Sequence, residues 1–213
     1  ITASGTATNS EVVALLGATN TGDTTIAAAS VTAAQAVAFT YDTTGNDTIT
    51  ALTITGTANV TQAGTILADV TAGDVGTVTY SLSDTAANLA GASSAVGDGA
   101  SDITATTAAT VSEATAIELF ANGGTNTYDI TDSAANLAGS TNVVLALAGT
   151  VTANTSATAA QADTIAAFAT AVVYSVSDSA ANLAGATADA LNEAVNITAS
   201  GTATNSEVVA LLG

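Results

Sequence analysis

Three aspartates occupy the same place in a recurring segment, and they are the residues whose type and spacing could do chemistry. They are Asp84 in "YSLSDTAANLAG", Asp132 in "YDITDSAANLAG" and Asp178 in "YSVSDSAANLAG", segments that begin at Tyr80, Tyr128 and Tyr174 and recur 48 and 46 residues apart. A carboxylate just before a helix accepts from the helix's first free amides and complements its dipole. On a sheet edge the same group is a ligand for a hard cation such as calcium. Both readings stay open. Parallel strands about 4.8 Å apart would hold such carboxylates roughly 10 Å apart in alternate layers, too far for one ion to touch two of them.

Composition gives the cation question its weight. The chain has 13 Asp and 5 Glu and no Lys, Arg or His, a formal charge of −18. Side-chain salt bridges are therefore ruled out. Nucleic acid and anionic membrane surfaces are excluded as electrostatic partners, because displacing counterions from a polyphosphate takes Lys and Arg. Calcium is the natural counter-charge and the candidate cofactor, although the fold requires none.

A second place for calcium is "YDTTGNDTI", where Gly45 to Ile49 resemble half of the glycine-rich calcium-binding nonapeptide of RTX secreted proteins. The candidate metal ligands are thus Asp84, Asp132, Asp178, Asp42, Asn46 and Asp47. "GDGASD" at Gly97 to Asp102 brings two more carboxylates around Gly99 and reads as a solvated turn. Catalysis is not expected. Without His, Cys, Lys or Arg the chain lacks the usual nucleophile activators and any cation for transition-state charge. A tandem array is also a poor frame for one pair of glycosidase-like carboxylates.

The elements that position these residues follow from repetition. "ITASGTATNSEVVALLG" occupies both Ile1 to Gly17 and Ile197 to Gly213, a spacing of 196 residues. Residues 1–196 read as one tandem repeat unit and 197–213 as the start of the next, identical unit. Within the unit, Thr8 with Glu11, Thr32 with Gln35, Asn59 with Gln62, Thr110 with Glu113 and Thr158 with Gln161 each form a capping-box pattern ahead of an Ala-rich apolar run. Before each helix, apolar and hydroxylated residues alternate with strand periodicity, as in Val78, Tyr80 and Leu82 against Thr79, Ser81 and Ser83.

Such strands are expected to start near Ile1, Thr24, Ala51, Val78, Ile103, Thr127, Leu147, Val172 and Ile197, which makes eight coils of about 24 residues in 196. One coil cannot bury an apolar face alone, whereas stacked copies make a continuous parallel sheet flanked by helices. The fold class expected is an α/β repeat, a parallel β-solenoid with one strand and one short helix per coil. Phe39, Phe120, Phe168 and the three recurring tyrosines are expected in the core, and Asn88, Asn136 and Asn182 are expected to bond backbone between coils.

Cys, Met, Trp and Pro are absent, so packing and hydrogen bonds must hold the fold. Polar residues interrupt every apolar run well before eighteen, which predicts no membrane span. No secretion signal is seen, and a chain that starts inside a repeat would not show one. The absence of trypsin-type cleavage sites suits a location outside the cell.

With its Ala- and Thr-rich flanks, "SDTAANLAG" resembles the repeat regions of giant secreted bacterial surface proteins, which are adhesins or sheath and matrix fibres, some with RTX-type segments. The resemblance implies an exported bacterial protein at the cell surface or in the extracellular matrix. The expected function is a long, stiff, protease-resistant structural fibre that self-associates or runs on as a tandem array. The alternative is a surface adhesin stalk or ligand-binding solenoid, with calcium dependence open. A regular ice-binding threonine lattice is not expected, because the ranks of Thr104 and Thr106 are matched elsewhere by Thr79 and Ser81, Thr127 and Asp129, and Val173 and Ser175.

Overall fold

The computed structural model describes residues 1–18, 22–41, 46–168 and 171–212, and it is an α/β structure built on parallel strands with helices between them. The chain divides into two compact units, Ile1–Thr106 with Leu119–Asn126, and Thr107–Glu118 with Thr127–Gly213. No helix among the described residues is long and apolar enough to cross a membrane.

In the first unit the strands β1 (Thr2–Ala7), β2 (Thr25–Thr32), β3 (Thr48–Ala58), β4 (Val75–Asp84) and β5 (Ile103–Ala105) pair in chain order, each parallel to the next. With β6 (Asn126–Thr127) they make a six-stranded sheet. The register stacks like on like: Ile26, Ile49 and Val75 form one buried row, and Leu82 with Ile103 form another. The opposite face carries rows such as Ser30, Thr53 and Thr79, of which Thr53 and Thr79 are exposed. This period-2 division is what the alternating sequence encodes.

The strands β1, β2 and β3 hand the chain to helix at a capping residue. The helices α1 (Asn9–Leu16), α2 (Ala33–Ala36) and α3 (Val60–Ala72) start at the capping boxes of Thr8, Thr32 and Asn59. In the box at Asn59, the Gln62 N–H donates to Asn59 Oδ1 at 2.8 Å and the Asn59 N–H donates to Gln62 Oε1 at 3.1 Å. The β1 and β3 ladders shift register around Gly5 and Gly56, whose φ of +97° and +77° belong to the left-handed region. Glycine meets that demand without a Cβ penalty, and the bulge re-aims the strand into its helix.

One helix per step holds for these three connections. Between β4 and β5, however, there are two, α4 (Ala86–Ala90) and α5 (Ser94–Asp98).

The second unit contains α6 (Val111–Glu118), β7 (Ile130–Asp132), α7 (Ala134–Gly139), α8 (Asn142–Leu147), β8 (Thr150–Ala153), α9 (Ala159–Ile165), β9 (Ala171–Val173), β10 (Val176–Ser179), α10 (Ala180–Ala184), α11 (Ala188–Asn192), β11 (Ile197–Ser200) and α12 (Asn205–Leu212). Its strands also pair parallel and in order, but in two sheets, β7-β8-β9 and β10-β11. The expected single sheet is therefore three sheets among the described residues. At Asp129 the side chain accepts the Thr150 N–H at 2.8 Å, while the backbone carbonyl accepts the Ala109 N–H at 2.8 Å. A single parallel bridge, Ala157 to Val176, carries the pairing on to β10.

The three recurring tyrosines are buried and lock the second helix of each two-helix step. Tyr80, Tyr128 and Tyr174 donate to the carbonyls of Val96, Val144 and Ala190 at 2.7, 3.0 and 2.9 Å, each sixteen residues on. Burial and nearby carboxylates raise the Tyr174 phenol to about 12, so it remains a donor. Phe168 is buried, while Phe39 and Phe120 are only half-buried.

Candidate functional site: aspartates that tie neighbouring steps

The Asp84 carboxylate accepts three N–H donors. Oδ1 takes the Thr85 N–H and the Asn88 side-chain amide, both at 2.8 Å, and Oδ2 takes the Val60 N–H at 3.1 Å. Asp132 repeats this with Ser133 at 2.7 Å, Asn136 at 2.8 Å and Val111 at 3.0 Å. Asp178 does so with Ser179, Asn182 and Ala159 at 2.7, 2.8 and 3.0 Å.

Helix capping, one of the two roles expected of these residues, is present but aimed differently. Thr85, Ser133 and Ser179 cap the helices that follow, each one residue after the aspartate. Val60, Val111 and Ala159 are the first residues of α3, α6 and α9, so each aspartate caps the helix of the preceding step. It joins two steps through one carboxylate. The asparagines differ from expectation as well: Asn88, Asn136 and Asn182 donate their side-chain amides to the aspartate four residues earlier rather than bonding backbone across steps. An amide on Oδ1 leaves Oδ2 aimed at the neighbour.

The electrostatics follow from these donors. Burial pushes the carboxyl groups of Asp84 and Asp132 up, but the asparagine amide and two backbone N–H groups outweigh it and hold both below the usual aspartate range. For Asp178 the Ala159 N–H is the largest cause, followed by Asn182 and Ser179, and the direction is the same.

Other aspartates use the same device. Asp98 accepts from the Ala121 N–H, Asp102 from Thr125, Asp129 from Thr150 and Asp163 from Thr187, all at 2.8 or 2.9 Å. Asp47, which is buried, accepts from the Thr24 N–H at 3.2 Å, and Asp23 accepts from Asn46 at 3.4 Å. Among the described residues, nine aspartates thus bond a backbone N–H 19 to 24 residues away, one step along the chain. In a chain without cationic side chains, backbone amides supply the positive ends that a part-buried carboxylate needs.

Asp84, Asp132 and Asp178 each belong to their own step, Asn46 and Asp47 bond toward Asp23 and Thr24, and Asp42 lies outside the described residues together with Gly45. Among the described residues no group of three or more acidic, histidine or cysteine side chains is placed to hold a metal ion. In "GDGASD" Asp98, Gly99 and Asp102 are exposed around a turn at Gly99, as expected, and Gly97 is buried. A Cβ on Gly97 would overlap the Phe120 ring and one on Gly99 would meet the Tyr80 hydroxyl, so the glycines let these rings close in. Acidic groups repel each other at the end of α3, where burial and Asp74 raise the Asp69 carboxyl.

The chain matches no protein-family model, no curated protein and no solved structure.

Proposed function

We propose that the chain is a segment of a structural repeat protein, a parallel β-solenoid whose role outside the cell is to be long, stiff and resistant to proteases, as a matrix, sheath or filament component. The observation that carries this reading is the strand order. In each sheet among the described residues the strands follow chain order with parallel neighbours, the arrangement in which adding coils would add length. The aspartate bonds support it by tying successive coils together without lysine or arginine, the residues trypsin-like proteases cleave.

The experiment is a length series. Joining one, two and three copies of residues 1–196 should lengthen the particle seen by electron microscopy linearly, by roughly 40 Å per eight coils at the parallel-strand spacing. A particle that instead grows equally in all directions would overturn the solenoid.

In this reading calcium is a mobile counter-ion for 18 carboxylates, since the aspartates already hold N–H donors. Melting temperature should rise equally with calcium and with sodium chloride at matched ionic strength, and only slightly, because charges about 10 Å apart are screened over a Debye length of about 8 Å. A gain with calcium alone, reversed by EDTA, would show a specific site.

A further inference from the structure

The three two-helix steps share an inward framework and differ on one outward edge. In each, the residue whose carbonyl takes the tyrosine hydroxyl is buried, namely Val96, Val144 and Ala190. The residue just before it and the one three places after it are exposed in every step. Those outward pairs are Ala95 with Gly99, Val143 with Leu147, and Asp189 with Glu193. In α5 the pair is small, and a Cβ at Gly99 would meet the Tyr80 hydroxyl. In α8 it is large and apolar, Val143 being 71% and Leu147 54% exposed. Four residues apart, these two lie side by side on one helix face. The framework does not demand them, since the same step folds with small or acidic residues in their places.

Acidic groups lie beside this pair in the same unit. Asp163 of α9 accepts the N–H and hydroxyl of Thr187, the cap of α11, at 2.9 and 2.8 Å. Burial, then Glu193, Asp163 and Asp189, raise the Tyr174 phenol, so the three carboxylates gather round one point. α9 packs on α7 of the step that carries α8, and on α11. The apolar and acidic pairs are thus two steps apart, roughly 10 Å at the parallel-strand spacing.

We propose that α8, α9 and α11 form a docking surface for a basic amphipathic segment of another protein. Its apolar side chains cover Val143 and Leu147, and its lysines or arginines face Asp163, Asp189 and Glu193. Charge selects this occupant. The chain has 18 carboxylates and no Lys, Arg or His, so a second copy would bring only further negative charge to this edge. A helical partner advances about 1.5 Å per residue, so groups about seven residues apart span the distance. The apolar pair is small, which places the contact among weak, transient ones whose strength falls with salt. The surface needs only the packing of the second unit and is independent of the fibre reading.

The test uses the 213-residue protein and a fluorescent amphipathic peptide of about 18 residues made only of Leu and Lys, followed by anisotropy. It should bind, less tightly as sodium chloride is raised. A peptide of Leu and Glu in the same pattern should not bind, and an all-Lys peptide should bind more than about tenfold more weakly. These arms read the unaltered protein, so they do not depend on any variant folding. Val143→Ser with Leu147→Ser should weaken binding of the Leu and Lys peptide by more than about tenfold, as should Asp189→Asn with Glu193→Gln at low salt. Glu11→Gln with Glu113→Gln removes as much charge elsewhere and keeps both capping boxes, so it should leave binding unchanged.

Equal binding of the all-Lys peptide, full binding by the serine pair, or an equal loss in the Glu11 and Glu113 control would each overturn the proposal. So would dimers of wild type alone, seen by sedimentation velocity and absent from the serine pair, because the occupant would then be a second copy.

Discussion

Ile1–Gly17 and Ile197–Gly213 are a controlled comparison within one chain, with identical residues in two surroundings. Both form an eight-residue helix, Asn9–Leu16 and Asn205–Leu212. Both open it alike, with the Thr8 N–H donating to Glu11 Oε2 at 2.8 Å and the Thr204 N–H to Glu207 Oε2 at 2.6 Å. Gly5 and Gly201 share positive φ. The differences concern partners: the first copy has a six-residue strand, the second a four-residue strand, and Ala7 is buried where Ala203 is half-buried. Cap, helix and glycine turn are thus encoded within a few residues, whereas strand length and core membership are conferred by the neighbouring coil.

The largest expected effect that could break this comparison is on stability. Val12→Asp should cost about 3 kcal/mol or more, since it places a carboxylate in a dry site, while Val208→Asp in the monomer should stay within about 0.5 kcal/mol. Urea denaturation measures both. Equal losses would mean that the two copies are not distinguished by packing.

The carboxylate bonds extend the same contrast between local and neighbour-dependent structure. Asp132→Ala removes a buried acceptor shared by Val111, Ser133 and Asn136 and should cost about 1–3 kcal/mol, with a smaller loss for Asp178→Ala, whose carboxyl is more open to water. If the denaturation midpoint were unchanged by Asp132→Ala, the carboxylate would not be tying the two steps together.

Next in size, Thr8→Ala and Thr204→Ala should each weaken their own helix by about 1 kcal/mol, and by the same amount, because a cap acts locally. Amide hydrogen exchange in the two helices reads this directly. A clear inequality would show that the cap depends on the following coil.

The smallest effect is on titration. The Thr8 N–H and hydroxyl hold Glu11 below the usual glutamate range, and the Thr204 groups do the same for Glu207. A depressed folded-state value adds stability above the ordinary glutamate value and loses it as pH falls through the lowered one. Carboxyl carbon NMR should show both glutamates titrating together at that lower pH, and separation of the two curves would reveal an effect of the neighbour.

Much of the chain was legible because its signals are short-range. Five capping patterns start helices where expected, and strands begin within a few residues of every expected position. The second helices α5, α8 and α11 were missed, since Ser93, Thr141 and Thr187 precede them without the Glu or Gln three residues later that completes a capping box. The sixteen-residue interval from each tyrosine to its carbonyl partner is a signal that could have marked them.

The sequence by itself determined where each helix starts, which strand residues face inward, the repeat length and the lack of any side-chain cation, because these depend on residues a few positions apart or on composition alone. Only the tertiary structure decided that Asp84, Asp132 and Asp178 reach back to the first amides of α3, α6 and α9, that the parallel pairing divides into three sheets among the described residues, and that Val12 is core where Val208 is surface. Those outcomes depend on which groups come to face each other after a whole step of about two dozen residues. That register is set by the bulges, the helix lengths and the presence of a neighbouring coil, none of which a local pattern contains.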